Sequence, residues 1–220
     1  MSNTGSKKRP EPEPDTFYPE KNVMVRDAVS RLAVKIHDYH NLHEKNVILF
    51  TGCGHKNGST MVAVSLAAVL SDTGYKTLYI DADTRKGSVS ANGLGTYLRG
   101  RTDIGSVIRP TITPDLDYAP SGERLETPAL FLRSVRMAEF IARAKDRYDY
   151  VILNCPPVAC YPDASAAFAL VDGIVLVCSL NTTTKKQLQS ARTAVEPFAD
   201  KYYGIVINSM SLGQYRKFYT

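Results

Sequence analysis

Apolar residues in this chain fall into short blocks separated by polar and glycine-containing turns, and the spacing inside each block predicts its conformation. Val25, Val29, Leu32, Ala33 and Ile36 recur at three- and four-residue intervals and predict a helix. Asn46–Phe50 is a short β-branched run that suits a buried strand, closed by Thr51-Gly-Cys-Gly. From there the pattern alternates. Ser59–Asp72 reads as a helix, Lys76–Ile80 as a strand, and 81–113 as a loop-rich stretch with a short helix near Thr102–Ile108. Leu116–Ala119 reads as a short strand and Ala129–Lys145 as one helix, with Leu130, Val135, Phe140 and Ile141 on its apolar face. Tyr150–Leu153 is a strand that the prolines after Cys155 must end, since proline cannot continue a ladder. Asp163–Leu170 (helix), Gly173–Ser179 (strand), Thr184–Glu196 (helix) and Tyr203–Ile207 (strand) complete the series. Strands alternating with helices specify an α/β fold, a doubly wound and mostly parallel sheet covered on both faces.

Residues 1–20 break the pattern. They are rich in Pro, Glu and Lys and nearly free of large aliphatics, so a disordered or extended arm is expected, then one domain over 21–210 and a tail over 211–220. With 220 residues, 44% of them hydrophobic, the chain can bury a substantial core. No apolar run reaches the roughly 20 residues of a membrane span, and the opening MSNTGSKKRPEPEPD lacks the apolar centre of a secretory signal, so a cytoplasmic protein is expected. Cys53, Cys155, Cys160 and Cys178 form no CxxC pair, which argues for reduced, mostly buried thiols rather than a zinc site. The net charge is +5, with the bases dispersed apart from Lys7–Arg9 and Arg216–Lys217. A solvated basic surface explains this better than nucleic-acid binding. Attraction to an acidic membrane surface or protein stays open.

Ligands of doubly wound sheets bind beyond the carboxyl ends of the strands, and three such ends carry unusual residues. Thr51–Thr60 holds Gly52, Gly54 and Gly58 and then Ser59-Thr60 at a helix start. Glycines let backbone N–H groups turn inward, and a helix N-terminus adds positive potential, which together make an anion nest. Plain N-capping would explain Ser59 equally well, though not three glycines in seven residues. Leu78–Lys86 ends a strand with Asp81 and Asp83, two acids that can hold Mg²⁺ opposite a phosphate nest, then Arg85 and Lys86. In isolation a polar turn explains this segment better. Tyr150–Pro157 puts Asn154 where phosphate-handling folds often carry a strand-end acid.

Taken together these segments resemble the bacterial tyrosine kinases (BY-kinases) of capsular and exopolysaccharide biosynthesis, in the P-loop class of the MinD and ParA ATPases. The similarity runs from about Lys21 to Asn208. Family members read T-S-x-x-P-G-E-G-K-S-T where this chain has Thr51–Thr60, L-L-I-D-A-D-x-R-K where it has Leu78–Lys86, and Y-D-Y-V-I-I-D-T-P-P where it has Tyr148–Pro157. Asp163 corresponds to an aspartate beyond the double proline, and Asn208 to the asparagine of the last strand. The resemblance implies ATP or ADP and Mg²⁺ as cofactors. It implies nucleotide binding by Gly54, His55, Lys56, Asn57, Gly58, Ser59, Thr60, Met61 and Asn208, and Mg²⁺ binding by Thr60 and Asp81. Asp81 and Asp83 would be catalytic, and Tyr215 and Tyr219 would accept phosphate.

The departures fall on chemistry. An ungapped register puts Ser59 on the motif lysine, which contacts the β- and γ-phosphates. Such a charge pair at 4 Å is worth roughly 4 kcal/mol at an effective dielectric of about 20. Asn154 replaces the third motif's aspartate, and an amide attracts a cation far less. In the helix before the loop, family members carry E-x-x-R-x-x-R-x-N to seal a ring of subunits. The aligned residues here are Asp27, Ser30, Ala33 and Lys35, so both arginines are gone.

Three functions compete. The first is a BY-kinase-like regulator with impaired or absent catalysis, docking to a membrane adaptor of the polysaccharide export machinery and able to self-associate. The second is an active protein-tyrosine kinase in which Lys56 or a partner supplies the missing charge. The third is a partitioning-type ATPase, mildly favoured by the net charge and opposed by Asp81–Lys86 and the tail tyrosines.

Overall fold

The computed structural model describes residues 23–43, 46–88 and 92–208. The N-terminal arm and the tail with Tyr215 and Tyr219 lie outside these residues. Within them the order is α1 (Val23–His43), β1 (Val47–Gly52), α2 (Ser59–Asp72), β2 (Thr77–Asp81), α3 (Leu94–Leu98), β3 (Arg109–Pro110), β4 (Leu116–Ala119) and α4 (Pro128–Leu132). α5 (Val135–Lys145), β5 (Tyr150–Cys155), α6 (Asp163–Ala167), β6 (Gly173–Ser179), α7 (Lys185–Val195) and β7 (Tyr202–Asn208) follow.

The seven strands form one sheet in the order β3-β4-β2-β5-β1-β6-β7, parallel except where β3 runs antiparallel along β4. Every residue of β1, β5 and β6 is buried, which is why these strands are continuous apolar runs rather than alternating ones. Their pleat still divides them between two cores. Ile48, Phe50, Tyr150, Ile152, Val175 and Val177 face α1 and α2. Val47, Leu49, Val151, Leu153, Ile174 and Leu176 face the helices of the other layer. α2 lies close on the sheet because its inner face is small, with Ala63, Ser65, Ala67 and Ala68 buried beside Leu66 and Leu70. α1 is fastened by polar as well as apolar contacts. His37 Nδ1 lies 2.7 Å from the buried Tyr150 hydroxyl, and Tyr39 stacks on Tyr203 of β7.

β5 separates β1 from β2, and β6 flanks β1 on its other side, so the chain leaves β1 at a point where strand order reverses. The crevice beyond that point is where the loop after β1 sits.

The structure corrects four sequence expectations. Ala129–Lys145 is two helices, because the Ser134 hydroxyl accepts from the Met137 N–H at 3.3 Å and starts α5 afresh. The expected apolar face shifts accordingly. Leu130 and Val135 are 72% and 75% exposed, while Leu132 and Met137 are buried with Phe140 and Ile141. The helix near Thr102–Ile108 is a 3₁₀ turn of Ile104–Ser106, and the loop-rich stretch also contains α3 and β3. Finally, Ser59 does not cap α2. Gly58 is the cap residue, with a left-handed backbone (φ 79°) and no side-chain cap bond, and Ser59 is the first helical position.

Candidate functional site

The loop from Cys53 to Gly58 bridges the carboxyl end of β1 and the start of α2. Its shape depends on glycine at two points. Gly58 has a positive φ, and a Cβ there would land on the Asn208 amide nitrogen. At Gly54 a Cβ would lie 2.7 Å from Gln187 Nε2 of α7. Lys56 adopts φ 59° without being glycine, a conformation that costs an L-residue about 1–2 kcal/mol. Two left-handed residues within three positions curl the backbone as an anion nest requires. That strain persists because the surroundings hold it. Asn57, 2% exposed, donates from Nδ2 to Thr183 Oγ1 at 2.6 Å, and its carbonyl accepts from Asn208 Nδ2 at 2.9 Å. Thr183 in turn accepts from the Ser179 N–H, so the loop is moored to the ends of β6 and β7.

Thr51 moors it from the other side. Its hydroxyl donates to the Pro156 carbonyl at 2.7 Å and accepts from the Val158 N–H, which locks β1 to the double-proline turn after β5. Asn154 of β5 pairs in register with Phe50 of β1 and with Asp81 of β2. Its Nδ2 donates to Thr60 Oγ1 at 3.2 Å, and its Oδ1 is buried without a partner among the described residues. The three strand ends singled out from the sequence therefore do converge. Ser59 is half-buried, and His55, Lys56, Thr60 and Met61 are exposed around them.

The corner after β2 is held by charges. Asp81 Oδ1 accepts the Asp83 N–H at 3.0 Å, and Asp83 lies 2.6 Å from Lys86 Nζ. Burial pulls the Lys86 pKa down, but the bond to Asp83 and the charges of Asp83 and Asp81 outweigh it and raise it overall. Arg85 makes a two-pronged bond to Asp163, at 2.5 and 2.9 Å, and Asp163 is wholly buried. That hydrogen bond, outweighing desolvation, raises the Arg85 pKa. The Arg85 guanidinium also covers the Tyr161 ring at 4.4 Å, and His55 meets the same ring edge-on at 5.6 Å. Tyr161, Thr183 and Gln187 escaped the sequence reading, because single polar or aromatic residues in loops and in the first turn of a helix carry no periodic signal.

Cys53 borders the nest, yet burial and then the neighbouring Cys178 push its thiol up to about 12, and burial holds Cys155 well above the usual thiol range. Neither is a ready nucleophile. The left-handed backbone at Lys56 and Gly58, backed by the N-terminus of the 14-residue α2, has the form of an anion nest.

Comparison with known proteins agrees with this geometry. The AAA domain family matches residues 52–205. The tyrosine-protein kinase CpsD of Streptococcus agalactiae is 30% identical over 204 residues, covering 85% of this chain and 89% of CpsD. Among solved structures, the kinase domain of the Escherichia coli tyrosine kinase ETK superposes with a TM-score of 0.81 at 26% identity, over 96% of this chain and 86% of that one. The septum site-determining protein MinD of Pyrococcus horikoshii, at 18% identity and a TM-score of 0.60 over 74% of this chain and 69% of its own, shares the fold. The chain belongs to the bacterial tyrosine kinase family, with the fold of the MinD-like P-loop proteins.

Proposed function

We propose that this protein is a nucleotide-binding regulator of capsular or exopolysaccharide biosynthesis whose phosphotransfer is impaired or absent. One observation carries the reading. The loop keeps the backbone form that receives phosphates, left-handed at Gly58, while the first residue of α2 is Ser59 in place of the family's lysine. Backbone N–H groups and the Thr60 hydroxyl would hold the ground-state phosphates. The charge that develops on a transferring phosphoryl group would find no ammonium at its usual place. Binding survives such a loss better than turnover does. A separate membrane adaptor of the export machinery would receive the signal. No helix among the described residues is long and apolar enough to cross a membrane.

Purified protein incubated with ATP and Mg²⁺ should show no phosphotyrosine, while ADP binding remains measurable. Clear labelling that disappears in an Asp81→Ala/Asp83→Ala double variant would sink the reading.

A second reading, an active kinase, is favoured by Lys56 alone. Its side chain is exposed on the nest, makes no ion pair among the described residues, and sits on a backbone strained enough to suggest retention for a purpose. Here Lys56→Ala would abolish labelling of Tyr215 and Tyr219, and normal labelling by that variant removes Lys56 from the mechanism.

A further inference from the structure

The residues expected to face a divalent cation do not build a cation site. Thr60 Oγ1, the hydroxyl expected to ligate Mg²⁺, accepts a hydrogen bond from Asn154 Nδ2. The amide therefore points the positive end of an N–H dipole at the oxygen that would coordinate the ion. Turning that amide over would offer Thr60 an oxygen without a charge, and would bury an unpaired N–H₂ group in the same crevice. In either orientation, N–H groups stand where the relatives' carboxylate would draw a cation.

The remaining acids do not make up the loss. Asp83 is engaged by Lys86 at 2.6 Å, and the same ammonium acts electrostatically on Asp81. Asp81 Oδ1 is also turned onto the backbone N–H of Asp83. Among the described residues no group of three or more His, Cys, Asp and Glu side chains converges on a point that could hold a metal. Mg²⁺ gives up its water reluctantly and asks for carboxylates or phosphates in near-octahedral array, so a neutral amide in place of an acid weakens its hold.

The anion side is intact by contrast. The left-handed backbone at Lys56 and Gly58, the exposed Lys56 ammonium and the N-terminus of α2 all favour negative charge.

We infer that the loop takes a nucleoside diphosphate as the free polyanion, with Mg²⁺ dispensable, because Asn154 puts a neutral amide against Thr60 where the family motif has a carboxylate. The inference rests on the nucleotide-binding reading and narrows it. Ser59 and Asn154 are then two halves of one change. A positive and a negative side chain are lost together, so the net charge of the crevice is kept while both the phosphoryl clamp and the metal's partner are gone.

Calorimetric titration of the full chain with ADP, once in excess EDTA and once in excess Mg²⁺, tests this. The two dissociation constants should agree within about threefold, a difference of less than ~0.7 kcal/mol. Asn154→Asp should restore a dependence on the ion, with ADP bound roughly tenfold more tightly when Mg²⁺ is present. Should that variant fold poorly, Lys86→Met frees the Asp83 carboxylate and should shift the balance the same way. If the unaltered chain binds ADP at least about tenfold more tightly with Mg²⁺, the inference is overturned while the nucleotide reading stands. If ADP binds under neither condition, both fall.

Discussion

The loop after β1 and the corner after β2 face the same crevice, and they have kept opposite things. Between Cys53 and Gly58 the backbone is curled through left-handed residues as an anion nest requires, while Ser59 stands where the family motif has lysine. Between Asp81 and Lys86 the charged side chains are all present and occupied with one another. Asp83 holds Lys86, and Arg85 holds the buried Asp163 against Tyr161. Backbone geometry is a property of the fold and persists wherever folding needs it. A catalytic charge persists only while something uses it, unless it has also become a strut. Asp-Ala-Asp-Thr-Arg-Lys survives in this chain partly as a strut.

The largest expected effect tests that claim. Arg85→Met strands the Asp163 carboxylate in a wholly buried position and should destabilise the protein by about 3 kcal/mol in urea denaturation. A loss below about 0.5 kcal/mol would place the pair among surface contacts and dissolve the contrast. Next, Gly58→Ala forces a side chain into a left-handed position and onto the Asn208 amide, at a cost of about 1–2 kcal/mol in stability. ADP affinity should fall further than stability does, as titration against a thermal melt would register. Ser59→Lys should leave stability within ~0.5 kcal/mol. It should tighten ADP binding by about tenfold, or ~1.4 kcal/mol, since the cradle is already formed. An unchanged affinity would mean the loop is not shaped for phosphate. The smallest effect belongs to Lys56→Gly. Relief of backbone strain and added freedom of the unfolded chain nearly cancel, so stability should change by less than about 1 kcal/mol. Any loss of ADP affinity then reports the ammonium alone.

The sheet was legible because its central strands are uninterrupted apolar runs ended by glycine or proline, as at Gly52 and Pro156. The three strand ends were legible for a topological reason, since parallel strands deliver their carboxyl ends to one edge. Less visible were events decided by one residue's side chain or backbone angle. Ser134 splits a helical run by capping its second half. Gly58 takes the cap position that Ser59 was expected to share. α3 did carry a helical spacing in Leu94, Tyr97 and Leu98, but five residues among glycines give a faint signal. Pairings across long separations, such as Asn57 with Thr183 and Arg85 with Asp163, leave no local pattern at all, because they exist only once the strands have been ordered.

The bond from the Asn208 amide to the Asn57 carbonyl joins residues 151 positions apart. Asn208 is the last residue of β7, and the chain continues beyond it for the 12 residues 209–220. A force drawn along that outgoing segment meets the loop's own carbonyl at its first foothold. The loop and the exit of the chain are thus tied by one bond, so displacing either must stretch or break it, at a cost of about 1 kcal/mol.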